Sequence, residues 1–503
     1  AGPDDSSAAI VGRCLGVVRA VCEVSSRVII VTGGTDQHTA SMDRGAGEAK
    51  LGSADEDALL SAAVAGAVLS AQLEYPRVQM TVLSTGAQLA GLGDAFAAVS
   101  KELCRSDGEL EVAYQAGQRL VKRYAEVAGV DPSVCGAPRE VGTGAYVITG
   151  GLGALGLLTA KVLVQLGVKR LVLLSRSGRV SFEGQGLEAD LEWLTEQEGV
   201  RVETMRCDVS DEASLNRCLL ETRAAGPIHG IVHAAGVTRD ALMKSAAAMQ
   251  GVAAVWNTKA HSAWLLHHLT REDPIQTFIA FSSITAAMGN PGQTSYGAAN
   301  AYLDALMSWR NQSGLPGHSV QWPAISEIGM AAHLEGMEDH MVSPAGVKEV
   351  LVNLLSYPEA AQSVLLVAPE MTMTTAFSAR FLEHAFGEMQ AVARTRQASQ
   401  VSKARRSGPS VMRRGAAAEA VSNFTASQVA EIVRRVASSL LGQSLDEVDP
   451  SAALMDQGLD SLGATELSNK LSSELEIRIL PTMLFSYPAI DDIVKFLMET
   501  LGL

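Results

Sequence analysis

The chain has 503 residues, of which 47% are hydrophobic and 19% charged, so it can bury several cores and is not a disordered protein. Its net charge of −15 argues against cationic binding to nucleic acid or to a membrane surface as its main role. The six cysteines show no C-x-x-C pair and no zinc-ligand spacing. We therefore expect reduced thiols in the cytoplasm and no metal site.

The first 138 residues predict a degenerate α/β unit. A strand is expected over Arg27–Thr32, a helix over Glu56–Leu73 and a second strand over Val78–Leu83. The longest apolar run, Ala58–Leu73, is shorter than the ~20 residues that a membrane span needs, and it predicts a buried helix. No signal peptide is visible at the amino end, so we expect a soluble segment of a longer protein.

Residues 144–368 alternate short β-rich runs with helical patterns such as Leu155–Leu166. The strands are expected at Ala145–Thr149, Arg170–Leu174, Gly230–His233 and Thr277–Phe281. This rhythm is typical of the βαβ units of a doubly wound, Rossmann-type α/β fold with a parallel sheet.

A glycine-rich turn, Thr149-Gly-Gly-Leu-Gly-Ala-Leu-Gly156, lies between the first of these strands and the helix. Such glycines let the backbone approach a pyrophosphate at a helix N-terminus, although glycine-rich turns also occur by chance. An earlier copy, Val31-Thr-Gly-Gly34, lacks the later glycines and is expected to be structural. The next strand ends in Ser175 and Arg176, where NAD sites usually place an acid. Because a guanidinium can pair with a 2′-phosphate, we expect NADPH; the alternative for Arg176 is an ordinary surface loop residue.

Four polar residues further along the chain have the chemistry of carbonyl reduction. Ser283 follows a strand thirteen residues before Tyr296, Asn300 lies one helical turn beyond that tyrosine, and Lys259 is on the preceding helical stretch. Ser can polarise a carbonyl oxygen, and Tyr can protonate the alkoxide once an adjacent ammonium lowers its pKa from about 10. Each residue alone has a structural explanation, and their joint spacing favours catalysis.

The composition changes after residue 390. Ala391–Ala418 contains seven basic and no acidic residues and predicts a mobile linker, whereas Asn423–Leu503 has a net charge of −7. Apolar periodicity predicts a small four-helix bundle in the acidic segment. Its helices are expected over Ser427–Leu441, after Gly458-Leu-Asp-Ser461-Leu462 and through Leu471, and over Ile490–Leu501.

Two sets of motifs resemble known families. The first set resembles the ketoreductase domain of modular polyketide synthases, a relative of the short-chain dehydrogenases/reductases: Thr149–Gly156, Asp208-Val209, His233-Ala-Ala-Gly236, Phe281-Ser-Ser283 and Tyr296-Gly-Ala-Ala-Asn300. Simple members carry Lys four residues after the Tyr, and the exchange seen in Asn300 and Lys259 is characteristic of polyketide and fatty-acid synthase reductases. In the second set, Gly458-Leu-Asp-Ser461-Leu462 resembles the phosphopantetheine attachment site of acyl carrier proteins. In isolation, Asp-Ser before a helix is more often only an N-cap.

The resemblance implies NADPH-dependent reduction of a β-ketoacyl thioester to a β-hydroxyacyl thioester. Ser283 would polarise the ketone, Tyr296 would supply the proton, and Lys259 and Asn300 would complete a proton relay. The acyl chain would be carried on a 4′-phosphopantetheine arm covalently attached to Ser461. The implied cofactor-binding residues, with Asp208 beside the adenine, are Thr149, Gly150, Gly151, Leu152, Gly153, Leu155, Gly156, Ser175, Arg176, Asp208, Val209, Ala234, Ala235 and Gly236.

The resemblance also bears on stereochemistry. Members that yield one alcohol configuration carry Leu-Asp-Asp where this chain has Thr238-Arg-Asp240, so only Asp240 is kept. Members that yield the other usually have a Trp eight residues before the Tyr, where this chain has Met288. The balance favours a D-configured hydroxyl. The family's strand and lid beside the nicotinamide resemble Gln321-Trp-Pro323 through Gly329-Met330 of this chain. The sequence there departs from the family's usual Trp-Gly-Pro-like pattern.

The implied domains are a structural subdomain (1–138), a catalytic NADPH-binding subdomain (139–390), a basic linker (391–422) and an acyl carrier domain (423–503). The implied partners are a ketosynthase, an acyltransferase and a phosphopantetheinyl transferase, in a homodimeric parent assembly. Three alternatives stay open: a fatty-acid synthase module, a silent reductase that is a scaffold beside a working carrier, and a free-standing reductase of small ketones whose tail is an interaction domain.

Overall fold

The structure is a computed structural model. It describes residues 5–22, 25, 27–33, 53–75, 77–85, 92–105, 109–115, 118–124, 137–139, 141–181, 184–332, 341–359, 361, 363–367, 425–445, 448–452, 454, 457, 459, 461–475, 477, 479, 487 and 489–501.

The amino-terminal part is a small mixed α/β unit. Its elements are α1 (Asp5–Cys22), β1 (Arg27–Gly33), α2 (Ser53–Glu74), β2 (Gln79–Thr85), α3 (Leu92–Leu103), β3 (Glu111–Gln115) and β4 (Gln118–Val121). The strands pair in sequence order, with β1, β2 and β3 parallel and β4 antiparallel to β3. The three elements predicted from the sequence are confirmed to within a few residues, whereas α1, α3 and the β3–β4 hairpin were not predicted.

A parallel sheet forms the centre of the second unit. Its strands among the described residues are β5 (Ala145–Thr149), β6 (Arg170–Ser175), β7 (Arg201–Arg206), β8 (Ile228–His233), β9 (Thr277–Ser283), β10 (His318–Trp322) and β11 (Val364–Leu366). Their spatial order is β11–β10–β9–β8–β5–β6–β7, and all pairs are parallel. The chain thus winds in one direction from β5 to β7 and in the other from β8 to β11. The Rossmann-type fold predicted from the sequence is confirmed, and this reversal places a ligand crevice at the carboxyl ends of β5 and β8.

Helices cover the faces of this sheet. They are α4 (Ala154–Gln165), α5 (Leu187–Glu196), α6 (Glu212–Ala224), α7 (Ala246–Trp256), α8 (Ser262–Leu269), the short α9 (Thr285–Met288), α10 (Thr294–Gln312) and α11 (Pro344–Ser356). All five residues of β5 are buried, as expected for a strand covered on both faces. A π-helical turn, Asn257–His261, joins α7 to α8.

The two units meet along α2 and α10. A Cβ added to Gly66 of α2 would lie 2.5 Å from the Cβ of Ala301 and 2.6 Å from the carbonyl oxygen of Gly297. The absence of a side chain at Gly66 therefore lets the two helix backbones approach closely.

Within the described part of the chain, Asp55–Glu74 is the helix long and apolar enough to cross a membrane, and half of it is buried inside the protein.

The carboxyl-terminal part is helical, with α12 (Ala426–Leu441), α13 (Ser461–Leu475) and α14 (Ile490–Leu501). α12 and α14 lie at the predicted positions, whereas α13 begins at Ser461, within the motif that was expected to precede it, and extends beyond Leu471. Thr425 caps α12 in a capping box with Gln428. The predicted apolar stripe of α12 is buried at Val429, Val433 and Val436, where it contributes to a core shared with α13 and α14. The predicted linker, 391–422, lies outside the described residues.

The described cysteines, Cys14, Cys22, Cys104, Cys207 and Cys218, are free thiols, and Cys135 lies outside the described residues. No group of three or more potential metal ligands occurs in the part of the chain that the structure describes.

Candidate active site

The glycine turn connects β5 to α4 in a conformation that requires its glycines. Gly150 has φ +63°, and a Cβ there would lie 3.0 Å from the backbone of Ala234. A Cβ on Gly156 would lie 2.3 Å from the carbonyl oxygen of Gly150, so the turn packs directly on the first turn of α4. Gly153 precedes α4 in an extended conformation and provides no side-chain cap. The first N–H groups of α4 are therefore free of a side chain that would cover them, and they suit a pyrophosphate.

The other candidate cofactor residues lie at the carboxyl ends of the neighbouring strands. Ser175 ends β6, accepts a hydrogen bond from the Gly178 N–H at 2.9 Å, and is followed by the exposed Arg176. Asp208 lies just beyond β7 and accepts two hydrogen bonds from Ser210. Ala234, Ala235 and Gly236 follow β8 on the other side of the glycine turn. The structure thus brings the cofactor residues predicted from the sequence to one edge of the sheet.

A buried histidine joins the glycine turn to Lys259, the candidate catalytic lysine. His233 Nδ1 lies 2.7 Å from Thr149 Oγ1, and its Nε2 lies 3.0 Å from the Lys259 carbonyl oxygen. Burial and the nearby Lys259 charge lower the pKa of His233 to about 3, so the imidazole is neutral at physiological pH. The sequence identified His233 only as part of a motif. Its position between Thr149 of the glycine turn and Lys259 was not predicted.

Lys259 is 4% exposed and lies on the π-helical turn. Its Nζ donates to the Phe281 carbonyl oxygen at 2.9 Å and lies 5.2 Å from the centroid of the Tyr296 ring. A Cβ on Gly236 would lie 2.8 Å from Lys259 Cε, so this glycine gives the lysine side chain its room. Burial lowers the pKa of Lys259 to about 7, opposed by the buried Asp304 carboxyl. π-Turns within helices are frequent at functional sites.

Tyr296 and Asn300 lie one turn apart on α10. The Nδ2 of Asn300 donates to the Tyr296 carbonyl oxygen at 2.9 Å, while its buried Oδ1 has no hydrogen-bond partner among the described residues. Burial raises the pKa of Tyr296 to about 12. This is opposite to the lowering that the sequence led us to expect, because desolvation of the phenolate outweighs the other influences on the ring. A tyrosine with this pKa keeps its proton at neutral pH and can donate it.

Ser283 ends β9, and its hydroxyl belongs to a chain of hydrogen bonds that reaches Asp240. Ser283 Oγ donates to Thr285 Oγ1 at 3.2 Å, and Thr285 Oγ1 donates to Gln293 Oε1 at 3.1 Å. Gln293 Nε2 in turn donates to Asp240 Oδ2 at 2.9 Å. The candidate residue for stereochemistry is thereby connected to the candidate residue for ketone polarisation through two side chains that the sequence did not identify.

The predicted strand and lid lie close to the same edge. Trp322, in β10, is buried and packs edge-to-face on Phe281 with ring centroids 5.7 Å apart. Gly329 has φ +80° and exchanges two hydrogen bonds with the Gln185 side chain, while Met330 is exposed. Residues 333–340 lie outside the described part of the chain.

Known proteins match both parts of the chain. Residues 144–327 match the family described as the KR domain, and residues 431–497 match the family described as the phosphopantetheine attachment site. The polyketide synthase GfsB of Streptomyces halstedii is 32% identical over 449 residues, which are 87% of this chain and 8% of that protein. A phenolphthiocerol synthesis polyketide synthase of Mycobacterium tuberculosis that is named as inactive is 32% identical over 372 residues, 71% of this chain and 22% of that protein.

Solved structures agree with this relationship. An A1-type ketoreductase is 28% identical with a TM-score of 0.61, covering 73% of this chain and 74% of that one. The first ketoreductase of the tylosin polyketide synthase is 28% identical with a TM-score of 0.54, covering 74% of this chain and 75% of that one. The chain belongs to the modular polyketide synthases. It carries a ketoreductase domain followed by a phosphopantetheine carrier domain, and it spans 8% and 5% of the length of two Streptomyces halstedii relatives.

In the carrier domain, Ser461 is the first residue of α13. Its backbone position at a helix start agrees with the pattern that the sequence predicted, and its side chain lies outside what the structure describes.

In the ketoreductase domain the sequence missed three residues near the site: Thr285, Gln293 and Glu74. Thr285 and Gln293 lie within the segment between Ser283 and Tyr296, so polar residues in that segment were an available signal. Glu74 comes from the amino-terminal unit, and nothing in the local sequence marks it.

Proposed function

We propose that this chain reduces a β-ketoacyl thioester to a β-hydroxyacyl thioester with NADPH, and that the thioester is presented on a phosphopantetheine arm at Ser461. The observation that carries this proposal is the cluster of Lys259, Tyr296 and Asn300 near the end of β9. In this cluster a lysine that can lose its charge near neutral pH lies beside a tyrosine that keeps its proton.

The residues around the glycine turn fit NADPH. Gly150, Gly153 and Gly156 form a cradle that side chains would fill, at the N-terminus of α4 where a pyrophosphate binds favourably. Arg176 would pair with the 2′-phosphate and Asp208 would lie beside the adenine. The orphaned Oδ1 of Asn300 provides a buried acceptor for a hydroxyl or a water in the relay. When bound, NADPH supplies the hydride that adds to the ketone carbon.

The residues of the chain supply the proton and the orientation. When the substrate binds, Ser283 would turn its hydroxyl proton from Thr285 Oγ1 to the ketone oxygen, which polarises the carbonyl, while its Oγ keeps accepting from the Thr285 N–H. Tyr296 gives its hydroxyl proton to that oxygen as negative charge develops on it, so the carbonyl gains one hydride and one proton. Lys259, held 5.2 Å from the Tyr296 ring centroid, returns a proton toward the tyrosinate through the relay with Asn300.

The carrier domain would deliver the substrate. A phosphopantetheinyl transferase would attach the arm to Ser461, and tethering on the same chain raises the effective concentration of the thioester at the reductase. The net charge of −7 on Asn423–Leu503 suits weak, salt-sensitive docking to basic surfaces. Similarity to polyketide synthases supports a ketosynthase and an acyltransferase as partners. The proposal further includes a homodimeric parent synthase and, from the cysteine pattern of the sequence, a cytoplasmic location.

The test is NADPH oxidation, followed by its absorbance, with a short β-ketoacyl thioester in solution. Wild type and Ser461→Ala are expected to oxidise NADPH equally, because a soluble substrate does not need the arm. Tyr296→Phe removes the proton donor and is expected to slow the reaction by about 10²–10⁴-fold. If wild type oxidises no NADPH over several acyl chain lengths, the ketoreductase domain is a scaffold beside a working carrier.

A further inference from the structure

Glu74, at the end of α2, is a buried carboxylate of the amino-terminal unit, and its hydrogen-bond partners among the described residues lie in the catalytic unit that contains β5–β11. It is 6% exposed. Its Oε2 accepts from the Met243 N–H at 2.6 Å, and its Oε1 accepts from the Gly292 N–H at 2.9 Å and from Thr294 Oγ1 at 3.4 Å. One carboxylate, with acceptor sites on both oxygens, therefore ties together two separate segments of the catalytic unit. The first segment is residues 241–243 and the second is residues 289–294.

The same two segments also contact each other. The Ala241 N–H donates to the Gly292 carbonyl oxygen at 2.8 Å. One turn earlier on α2, Ser70 Oγ accepts from the Asn290 N–H at 3.1 Å. A Cβ on Gly289, which has φ +71°, would lie 2.6 Å from the Leu69 backbone. The last turns of α2 thus pack directly on the segment that leads into α10.

These segments position two members of the hydrogen-bond chain that reaches Ser283. Asp240 immediately precedes the first segment, and Gln293 lies within the second, three residues before Tyr296. The 2.9 Å bond between Gln293 and Asp240 continues through Thr285 to Ser283. The Gln293 side chain makes two hydrogen bonds of this chain, one with Asp240 and one with Thr285. Glu74 holds the backbone of Gly292, the residue before Gln293, so a shift of this backbone would break the chain at Gln293.

We propose that Glu74 is a positioning residue for the reduction. By holding the Met243 and Gly292 backbones it sets the Asp240–Gln293 contact, and through Gln293 and Thr285 it fixes the place of Ser283 Oγ, which accepts from the Thr285 N–H and whose proton would turn from Thr285 Oγ1 to the ketone when the substrate binds. This assigns the amino-terminal unit a part in the chemistry, and it rests on the proposed function of the catalytic unit.

The cost of burying Glu74 supports this role. Burial raises the pKa of the Glu74 carboxyl from its usual value, and the hydrogen bonds from Gly292 and Met243 lower it in part. Buried carboxylates are expensive unless their oxygens are satisfied, and here backbone N–H groups of the catalytic unit provide much of that compensation.

Glu102 is a matched control within the same unit. It is 2% exposed and accepts from Tyr114 and from both Nε and Nη2 of Arg119, at 2.7–3.0 Å. These partners belong to the amino-terminal unit. Through these contacts Glu102→Gln perturbs a buried carboxylate of the amino-terminal unit, whereas the Met243 and Gly292 backbones are held by Glu74.

The test compares Glu74→Gln and Glu102→Gln with wild type in the full chain. In Glu74→Gln an amide NH₂ replaces one carboxylate oxygen, so that a donor faces the backbone N–H of either Met243 or Gly292. We expect kcat to fall about tenfold or more. The KM for NADPH is expected to change less than about twofold, because the glycine turn that would bind NADPH follows β5, whereas Glu74 holds Met243 after β8 and Gly292 after β9. Glu102→Gln is expected to lower the melting temperature and to keep kcat within about twofold. Equal kcat values for wild type and Glu74→Gln, or an equal loss in both variants, would overturn the proposal.

Two further measurements separate this proposal from the reductase proposal. Hydrogen exchange is expected to become faster at the Met243 and Gly292 amides in Glu74→Gln and to stay unchanged there in Glu102→Gln, whether or not wild type oxidises NADPH. Unchanged exchange at both amides would overturn the positioning role by itself. Gln293→Leu breaks the chain without touching Glu74 and serves if Glu74→Gln does not fold. It is expected to lower kcat with little change in melting temperature, and an unchanged kcat in this variant would count against the proposal.

Discussion

The Nζ of Lys259 lies 5.2 Å from the centroid of the Tyr296 ring and donates to the carbonyl oxygen of Phe281, near the carboxyl end of β9. Burial acts on the two groups in opposite directions, lowering the pKa of Lys259 to about 7 and raising the pKa of Tyr296 to about 12. The tyrosine is therefore a protonated acid at neutral pH, and the lysine is the group whose charge changes there.

The first prediction concerns pH. We expect kcat/KM for NADPH, which reports ionisations of the free enzyme, to fall as the pH rises through about 7 and to approach about a tenfold loss per pH unit. The reason is that Lys259 loses its ammonium charge, while the buried His233 and His267, each with a pKa of about 3, stay neutral over this range. Initial rates between about pH 6 and pH 9 provide the measurement. A profile of Lys259→Met that keeps the same inflection would contradict the assignment.

The second prediction concerns cofactor choice. Arg176→Ala is expected to raise KM for NADPH by about tenfold to a hundredfold and to leave KM for NADH nearly unchanged, because only NADPH carries the 2′-phosphate that the guanidinium would bind. Arg201→Ala is the matched control, since Arg201 is an exposed arginine at the amino end of β7, away from the cofactor edge. Equal losses for NADPH and NADH in Arg176→Ala would assign the residue another role.

The third prediction concerns the product. We expect a D-configured β-hydroxyl from wild type, and a smaller excess of that configuration from Asp240→Ala, which removes the acceptor of the 2.9 Å bond from Gln293. Chiral chromatography of the released β-hydroxy acid measures both. An L-configured product from wild type would show that Asp240 does not mark the stereochemical class of this chain, although the Trp typical of the other class is replaced by Met288.

The fourth prediction concerns the contact between α2 and α10. Gly66→Ala would place a methyl group 2.5 Å from the Ala301 Cβ, and we expect it to lower the free energy of unfolding by about 1–3 kcal/mol. Gly12→Ala in α1 is the control, because nothing lies within 4 Å of the added Cβ and the change favours the helix by up to about 1 kcal/mol. Denaturant unfolding compares the two variants, and similar effects would mean that the helices can separate to admit the methyl group.

The sequence predicted those parts of the molecule that depend on local backbone requirements. The turn from Thr149 to Gly156 could be placed between a strand and a helix because Gly150 needs φ +63° and Gly156 packs against Gly150. The four strands that it predicted in the central sheet occur at those positions, since continuous apolar runs are required where both faces are covered. Tyr296 and Asn300 share a helix face for the same local reason.

What the sequence could not predict depends on distant contacts. Glu74 is 169 residues from Met243 and 218 from Gly292, and a single carboxylate at the end of an apolar helix carries no sign of those partners. The burial of Lys259 depends on the π-turn and on Gly236, which no periodicity reveals. The direction of the Tyr296 pKa was mistaken because the sequence shows that a lysine is available and does not show how thoroughly the ring is desolvated.

The most direct test of the account uses the carrier itself. A phosphopantetheinyl transferase loads Ser461 with a β-ketoacyl phosphopantetheine, NADPH is added, and intact-protein mass spectrometry follows the loaded chain. We predict that wild type gains the mass of one hydride and one proton on its acyl group, and that Tyr296→Phe, loaded to the same extent, does not. A loaded wild type whose mass stays unchanged, or an equal gain in Tyr296→Phe, would contradict the account.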